Sequence, residues 1–451
     1  MNPARLVAFE VIRAVHESGA YANLHLPREL RQAGLSSADA GLATELTYGT
    51  LRRQGTYDAI IADAAGRPID EIDPPVRDAL RLGAHQLLAT RVAAHAAVNE
   101  TVELVRRAAG TKATGFANAV LRRISERSAD EWLERIESAA RSDDERLGLR
   151  YAHPVWVIRA VRRALAAEGR ADELDEFLAA DNVSPGVTLA VLPGLAVAPA
   201  GAERTPYSPL GFRLAGGDPE QVISAADGRI RVQDEGSQLA ALALTHATPV
   251  RGGERWLDLC AGPGGKTAVL AAEALAHGAA LEANEVSPVR AGLVRASVKG
   301  VPLEVPVSEE DGRVRAGRGR YDRILVDAPC TGLGALRRRP EARWRKSPAD
   351  LPDLTALQGD LLAAAVDALA PGGIVAYVTC SPHLAETAGI VAEVRRRFGD
   401  EVVELDARET LASIAGEPLD LPAPADGSGR AQLWPHRHGT DAMSISLLQR
   451  V

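Results

Sequence analysis

Over residues 1–135 apolar side chains recur at helical spacing. Phe9, Ile12 and Val15 share one face before Gly19; Val98, Val102 and Val105 repeat the pattern, as do Phe116, Val120 and Ile124. Short polar breaks such as GRPIDEIDPP separate these stretches, which predicts an all-α bundle. From 136 to 235 the signal is mixed, with two charged helical stretches, then VTLAVL, then the Gly/Pro-rich PGLAVAPAGAERTPYSPLG. A small α+β linker subdomain is expected there. Over 236–451, after VQDEGSQLAALAL, apolar runs of strand length alternate with helix-length segments. Strands are expected at Trp256–Leu259, Ala280–Asn284, Leu303–Val307, Arg323–Asp327 and Ile374–Thr379. That alternation predicts an α/β domain with a mainly parallel, doubly wound sheet, whose ligands sit at the carboxyl ends of its strands.

Composition leaves this picture intact. The 451 residues exceed one ordinary core, and 46% hydrophobic with 25% charged residues is usual for globular chains. No run reaches the roughly 18–20 uncharged apolar residues that span a bilayer, and MNPARLVAFEVIRAVHE mixes charge into its apolar positions, unlike a signal peptide. A cytoplasmic, monomeric protein without membrane or metal partners is expected. The net charge of −8 argues against coating nucleic acid by bulk charge, so any RNA contact must be local. Nearly all positive charge is Arg; Lys occurs only at 112, 266, 299 and 346.

The three cysteines, 260, 330 and 380, form neither a disulfide framework nor a metal-ligand spacing. Each closes an apolar run: WLDLC, ILVDAPC and VAYVTC. The first run leads into DLCAGPGGKT, where Gly262, Gly264 and Gly265 permit a tight turn close to a ligand. A Walker A loop would need Gly where Cys260 stands, and a GxGxxG loop would need Gly where Thr267 stands. What remains is a different Gly-rich turn, with Glu285, Asp311 and Asp327 near later strand ends. Glu285, ending the second strand, suits a ribose diol.

If the strands before DAPCTGLG and VTCSPH are neighbours, Cys330 and Cys380 face one mouth together with Asp327. A carboxyl and two thiols suit a pyrimidine inert at C5: a thiolate adds to C6, a carboxyl hydrogen-bonded at N3 stabilises the developing charge, and C5 becomes nucleophilic. Spacing does not say which thiol attacks. Lys266 is the candidate charge to activate it. Cys260 alone reads as a small buried hydrophobe. Directly after DAPCTGLG comes ALRRRPEARWRK, whose Arg337, Arg338, Arg339, Arg343, Trp344, Arg345 and Lys346 suit stacking and phosphate contacts with RNA.

At DLCAGPGGKT, DAPCTGLG and TCSPH together, residues 236–451 resemble the RNA cytosine-C5 methyltransferases of the NOL1/NOP2/Sun group. The resemblance implies a Rossmann-like catalytic domain using S-adenosylmethionine (SAM), with Cys380 as nucleophile and Cys330 assisting product release. It implies that Cys260, Ala261, Gly262, Pro263, Gly264, Gly265 and Lys266 form the SAM loop. Glu285 is implied for the ribose, Asp311 for the adenine side, and Asp327 for a place near the methyl donor and the base. LTYGTLRR, AVNETVELVRRA and FANAVLRRI resemble the NusB-like RNA-binding domain joined to this core in members that act on small-subunit 16S rRNA. Departures are Glu285 for the common Asp, Thr387 for the frequent Asn, and no aromatic after Asp441. Two rivals remain: a non-catalytic RNA-binding antitermination factor, suggested by the helical domain, and the same chemistry on tRNA. A thiol-disulfide switch of Cys330 and Cys380 has no redox motif behind it.

Overall fold

In the computed structural model, which describes residues 2–214 and 219–451, the apolar faces at the start of the chain lie inside a helical core. Helix α1 (Pro3–Glu17) starts on Asn2, whose side chain accepts the Arg5 N–H, and Pro3 fills a first-turn position that has no intrahelical partner. Its Phe9, Ile12 and Val15 join α2 (Gln54–Ala65), α3 (Pro74–Ala89), α4 (Ala94–Ala109) and α5 (Thr114–Ser125) through Ile60, Leu80, Val105 and Ile124. The unit continues past residue 135. In α6 (Asp143–Tyr151) the Leu149 carbonyl accepts the Thr56 hydroxyl at 2.6 Å, and His153 meets Asp181 at 3.3 Å. The helical unit runs to Arg159 and includes Leu178–Val183 and Leu336–Lys346.

The second unit holds Ala160–Phe177, Ser184–Ala335 and Ser347–Val451. Strands β1 (Thr188–Val191), β2 (Glu203–Arg204), β3 (Gly211–Arg213) and β4 (Ile230–Val232) form a small antiparallel sheet in the order β2-β3-β1-β4, inside the stretch expected to be α+β.

The larger sheet has eight strands. They are β5 (Arg255–Asp258), β6 (Ala280–Asn284), β7 (Val307–Ser308), β8 (Tyr321–Asp327), β9 (Leu369–Thr379), β10 (Val402–Leu405), β11 (Ala431–Gln432) and β12 (Ser444–Arg450). The order is β10-β12-β9-β8-β5-β6-β7, with β11 on β12; β9 to β7 are parallel, and β12 runs antiparallel between β9 and β10. Alternate residues serve opposite faces. Trp256, Leu325 and Ala376 pack under α7 (Glu235–His246) and α8 (Gly265–His277), while Leu257, Ile324, Val326 and Tyr377 pack on α10 (Leu351–Ala368) and α11 (Ala388–Phe398). Helix α9 (Pro288–Val298) connects β6 toward β7. Covering both faces explains why these strands read as continuous apolar runs.

The strand expected at Leu303–Val307 forms only as Val307–Ser308. Pro302 and Pro306 lack the N–H groups a ladder needs, so just the end of this edge segment pairs with β6. Among the described residues no helix is long and apolar enough to cross a membrane.

Candidate active site

The site begins where β5 turns into α8. Gly264 adopts φ +103°, and a Cβ there would lie 2.1 Å from Ser297 Oγ and 2.9 Å from Val294 Cα, so side chains are excluded. At Gly262 a Cβ would stand 2.2 Å from Glu285 Oε2, the atom that accepts the Gly262 N–H at 3.0 Å. Glu285 also accepts the Ser287 N–H at 3.0 Å and lies 3.5 Å from Arg290. The loop is further held by the Arg231 guanidinium, which donates to the carbonyls of Gly264 and Ser297. Beside the first turn of α8, Gln233 Oε1 is buried without a partner, 3.9 Å from where a Gly265 Cβ would be. The first-turn N–H groups of α8 have no intrahelical acceptors. Carboxylate, orphan acceptor and helix-end donors together fit a ligand that carries both an amino-acid group and a sugar diol.

Two further acids stand at strand ends or beside them. Asp311 caps the short helix Gly312–Ala316 and meets the Arg313 guanidinium fork at the surface. Asp327 ends β8 and pairs with Lys266 at 2.8 Å. Burial works against the Lys266 charge, but Asp327 outweighs it and holds the ammonium above its usual pKa, with Cys380 adding to the effect. Deeper lies Asp258, whose carboxyl burial pushes up to about 7 although the Thr267 hydroxyl donates to it at 2.7 Å.

The two thiols do share one mouth. β8 and β9 are parallel neighbours with Asp327 opposite Val378, and the Sγ atoms of Cys330 and Cys380 lie 3.5 Å apart as free thiols. The hydrogen bond with Cys380, and then burial, push the Cys330 thiol well up, so Cys330 keeps its proton and can donate it toward Cys380. Cys260 packs into the core under the sheet, where burial pushes its thiol up and leaves it inert.

A family model for the 16S rRNA methyltransferases RsmB/F matches residues 246–449, and one for the NusB family matches residues 2–126. A Mycobacterium tuberculosis protein named "Putative methyltransferase Rv1407" is 49% identical over 460 residues, spanning 100% of this chain and 97% of its own. The ribosomal RNA small subunit methyltransferase B of Pseudomonas putida is 34% identical over 434 residues, spanning 93% and 95%. The chain belongs to the RsmB/F methyltransferase family. The NusB-family match lies in the N-terminal part of the helical unit, and the RsmB/F match covers the larger sheet and also takes in Leu336–Lys346 of the helical unit. The crystal structure of PH0851, 24% identical, shares the fold across 100% of this chain and 99% of its own at a TM-score of 0.80. A methyltransferase homologue from Pyrococcus horikoshii, 22% identical, covers 68% of this chain and 98% of its own at 0.54.

The Arg-rich segment of this RsmB/F chain departs from the expected RNA face. Arg343 is fully buried in the helical unit, where it donates to the Arg52 carbonyl, Asn182 Oδ1 and the Asp181 carbonyl, each at 2.8 Å. Arg337 is buried too, and its carbonyl accepts from Arg52. Both side chains are withdrawn from solvent. Arg345 donates to the Ala20 carbonyl and lies 4.7 Å over the Tyr21 ring, with Arg339 at 5.9 Å from the same ring. Trp344, against Gly55, keeps an exposed face, and Arg338 and Lys346 are partly exposed.

Sequence reading gave no role to Gln233, Asp258 or Glu386. Glu386 is fully buried and accepts from the Thr331 N–H at 2.8 Å, the Thr331 hydroxyl at 2.5 Å, the Ser381 hydroxyl at 2.7 Å and Gln358 Nε2 at 3.1 Å. Its signal was present as an acid shortly after TCSPH; what could not be read was that it faces both cysteine loops.

Proposed function

We propose that this chain transfers a methyl group from SAM to C5 of a cytosine in small-subunit 16S rRNA, with Cys380 as the nucleophile. The observation that carries this reading is the 3.5 Å contact of two free thiols at the ends of adjacent parallel strands, beside the Lys266–Asp327 pair. SAM would be held by the main chain of 260–266, by Glu285 at the ribose and by the acceptor of Gln233, with Asp311 bounding the adenine side. When bound, it supplies a methyl group on a sulfonium.

The chain's own groups do the rest. The Lys266 ammonium and the Cys330 S–H favour a thiolate at Cys380, whose Sγ bonds to C6 while the C5–C6 π pair moves into the ring. Lys266 and Asp327 present a proton donor toward N3, which neutralises that charge. The C5 electron pair would then bond the methyl carbon, while the pair of the broken methyl–sulfur bond stays on sulfur, which leaves as a neutral thioether. Bonding Cys380 to carbon removes the main cause that keeps the proton on Cys330. Cys330 can then release that proton to solvent and accept the one from C5, and the Sγ–C6 bond breaks to restore the double bond. Trp344, Arg338, Arg339 and Lys346 keep exposed surface for RNA, with Arg345 fixing Tyr21 behind them.

Transfer of labelled methyl groups to undermethylated 16S rRNA tests the reading, with tRNA as the competing substrate. Cys380→Ala is expected to lose at least ~1,000-fold in rate; wild-type activity in that variant would sink it. Cys330→Ala is expected to accumulate a covalent RNA adduct, visible as a shifted band on a denaturing gel.

A further inference from the structure

Glu386 joins the two halves of the thiol pair. Thr331 follows Cys330 and Ser381 follows Cys380, so one carboxylate grips the residue next to each sulfur; the two hydroxyls also meet at 3.1 Å. Its main chain is anchored as well: the Tyr377 hydroxyl donates to the Glu386 carbonyl at 2.8 Å, and the Glu386 N–H donates to the His383 carbonyl at 2.9 Å. Four donors converge on its two oxygens, which an ionised carboxylate can satisfy and an amide, with one acceptor oxygen, cannot. A buried carboxylate is costly, so a purely structural clasp here would be better made from neutral groups.

We propose that Glu386 is a positioning residue for methyl transfer, holding the Cys330 and Cys380 sulfurs in register and directing the proton of the pair onto Cys330. Its negative charge is among the causes that keep the Cys330 thiol protonated, whereas the Lys266 ammonium acts on Cys380. The other titratable groups around the pair are Asp327 beside Lys266, Asp258 under it, Cys260, Tyr377 on β9 and His383 on the loop of Glu386 itself. Burial holds Tyr377 in its protonated form and pushes His383 toward its neutral form. Glu386 thus supplies negative charge at Cys330, and Lys266 supplies positive charge at Cys380.

This inference rests on Cys380 being the nucleophile. The test is iodoacetamide alkylation of the full-length protein from pH 6 to 9, with Cys380 and Cys330 quantified separately by peptide mass spectrometry. It compares wild type, Glu386→Gln and Thr331→Val, with SAM binding by calorimetry as the control for folding. Wild type is expected to label Cys380 first. Glu386→Gln is expected to lower the Cys380:Cys330 labelling ratio ~10-fold, the effect of one pKa unit, and to cut kcat comparably with KM for SAM unchanged. Thr331→Val, which keeps the charge and loses one donor, should move the ratio less in the same direction. An unchanged ratio and pH profile in Glu386→Gln would overturn the proposal. If that variant does not bind SAM, an unchanged ratio in Thr331→Val would do so. Failure here with Cys380→Ala still inactive removes only the role of Glu386, whereas an active Cys380→Ala removes the reading beneath it.

Discussion

Arg343 in the helical unit and Lys266 in the second unit are both cations drawn out of water, and they differ in what surrounds them. Arg343 meets carbonyl oxygens from three separate stretches of chain, around residues 52, 152 and 181, and the Asp181 charge offsets part of its burial. Burial lowers it only to about 10, so it stays charged and fixed. Lys266 meets the Asp327 carboxylate, with Cys380 and Asp258 adding to the field around it. A cation enclosed by main-chain acceptors closes a fold; one left beside reactive, titratable neighbours at strand ends is placed for chemistry.

Exchanging each cation for an uncharged side chain should separate these roles. Lys266→Met is expected to reduce methyl transfer ~100-fold with little change in melting, since Asp327 keeps enough exposure to be hydrated. A loss of folding equal to the loss of rate would erase the contrast. Arg343→Met should instead destabilise the helical unit by ~3 kcal/mol, read by denaturant melts, because it strands buried carbonyls. Thiol labelling at Cys380 should remain.

A smaller effect follows from opposite pH responses. Asp258 titrates near 7 in the folded chain, far above an ordinary carboxyl, so the folded state holds a proton that the unfolded chain has released. Stability from this group is present at acid pH and is lost as pH rises from about 4 to about 7. His153 behaves the other way: burial, and then the Arg343 charge, pull it down to about 4, so its contribution is lost as pH falls from about 6.5 to about 4. Asp258→Asn should gain a few degrees over wild type as pH is raised, and His153→Gln should gain as it is lowered. Parallel shifts in both would contradict the assignment.

The parts of the molecule legible in sequence were those set by local pattern. Phe9, Ile12 and Val15 announce a helix face, and an apolar run ending in Cys330 or Cys380 announces a strand with a thiol at its mouth. The family relationship follows from motifs that stand in order along the chain. What could not be read depends on partners distant in sequence. A run of arginines looks the same whether it meets solvent, RNA or the carbonyls of residues 52 and 181. The α6 segment looked like linker because its partner is Thr56. Glu386 was one acid among many until the fold set it between Thr331 and Ser381.

The strand that carries Cys380 has β8 on one side and β12 on the other, and β12 enters the sheet only after residues 380–443 have been made. During synthesis β9 therefore emerges as an open edge, its unpaired N–H and C=O groups available to another nascent chain. The antiparallel β12 acts as a late-arriving guard. Ribosome-bound chains halted before residue 444 should be prone to associate, and completing translation becomes part of how the nucleophile's strand is sheltered.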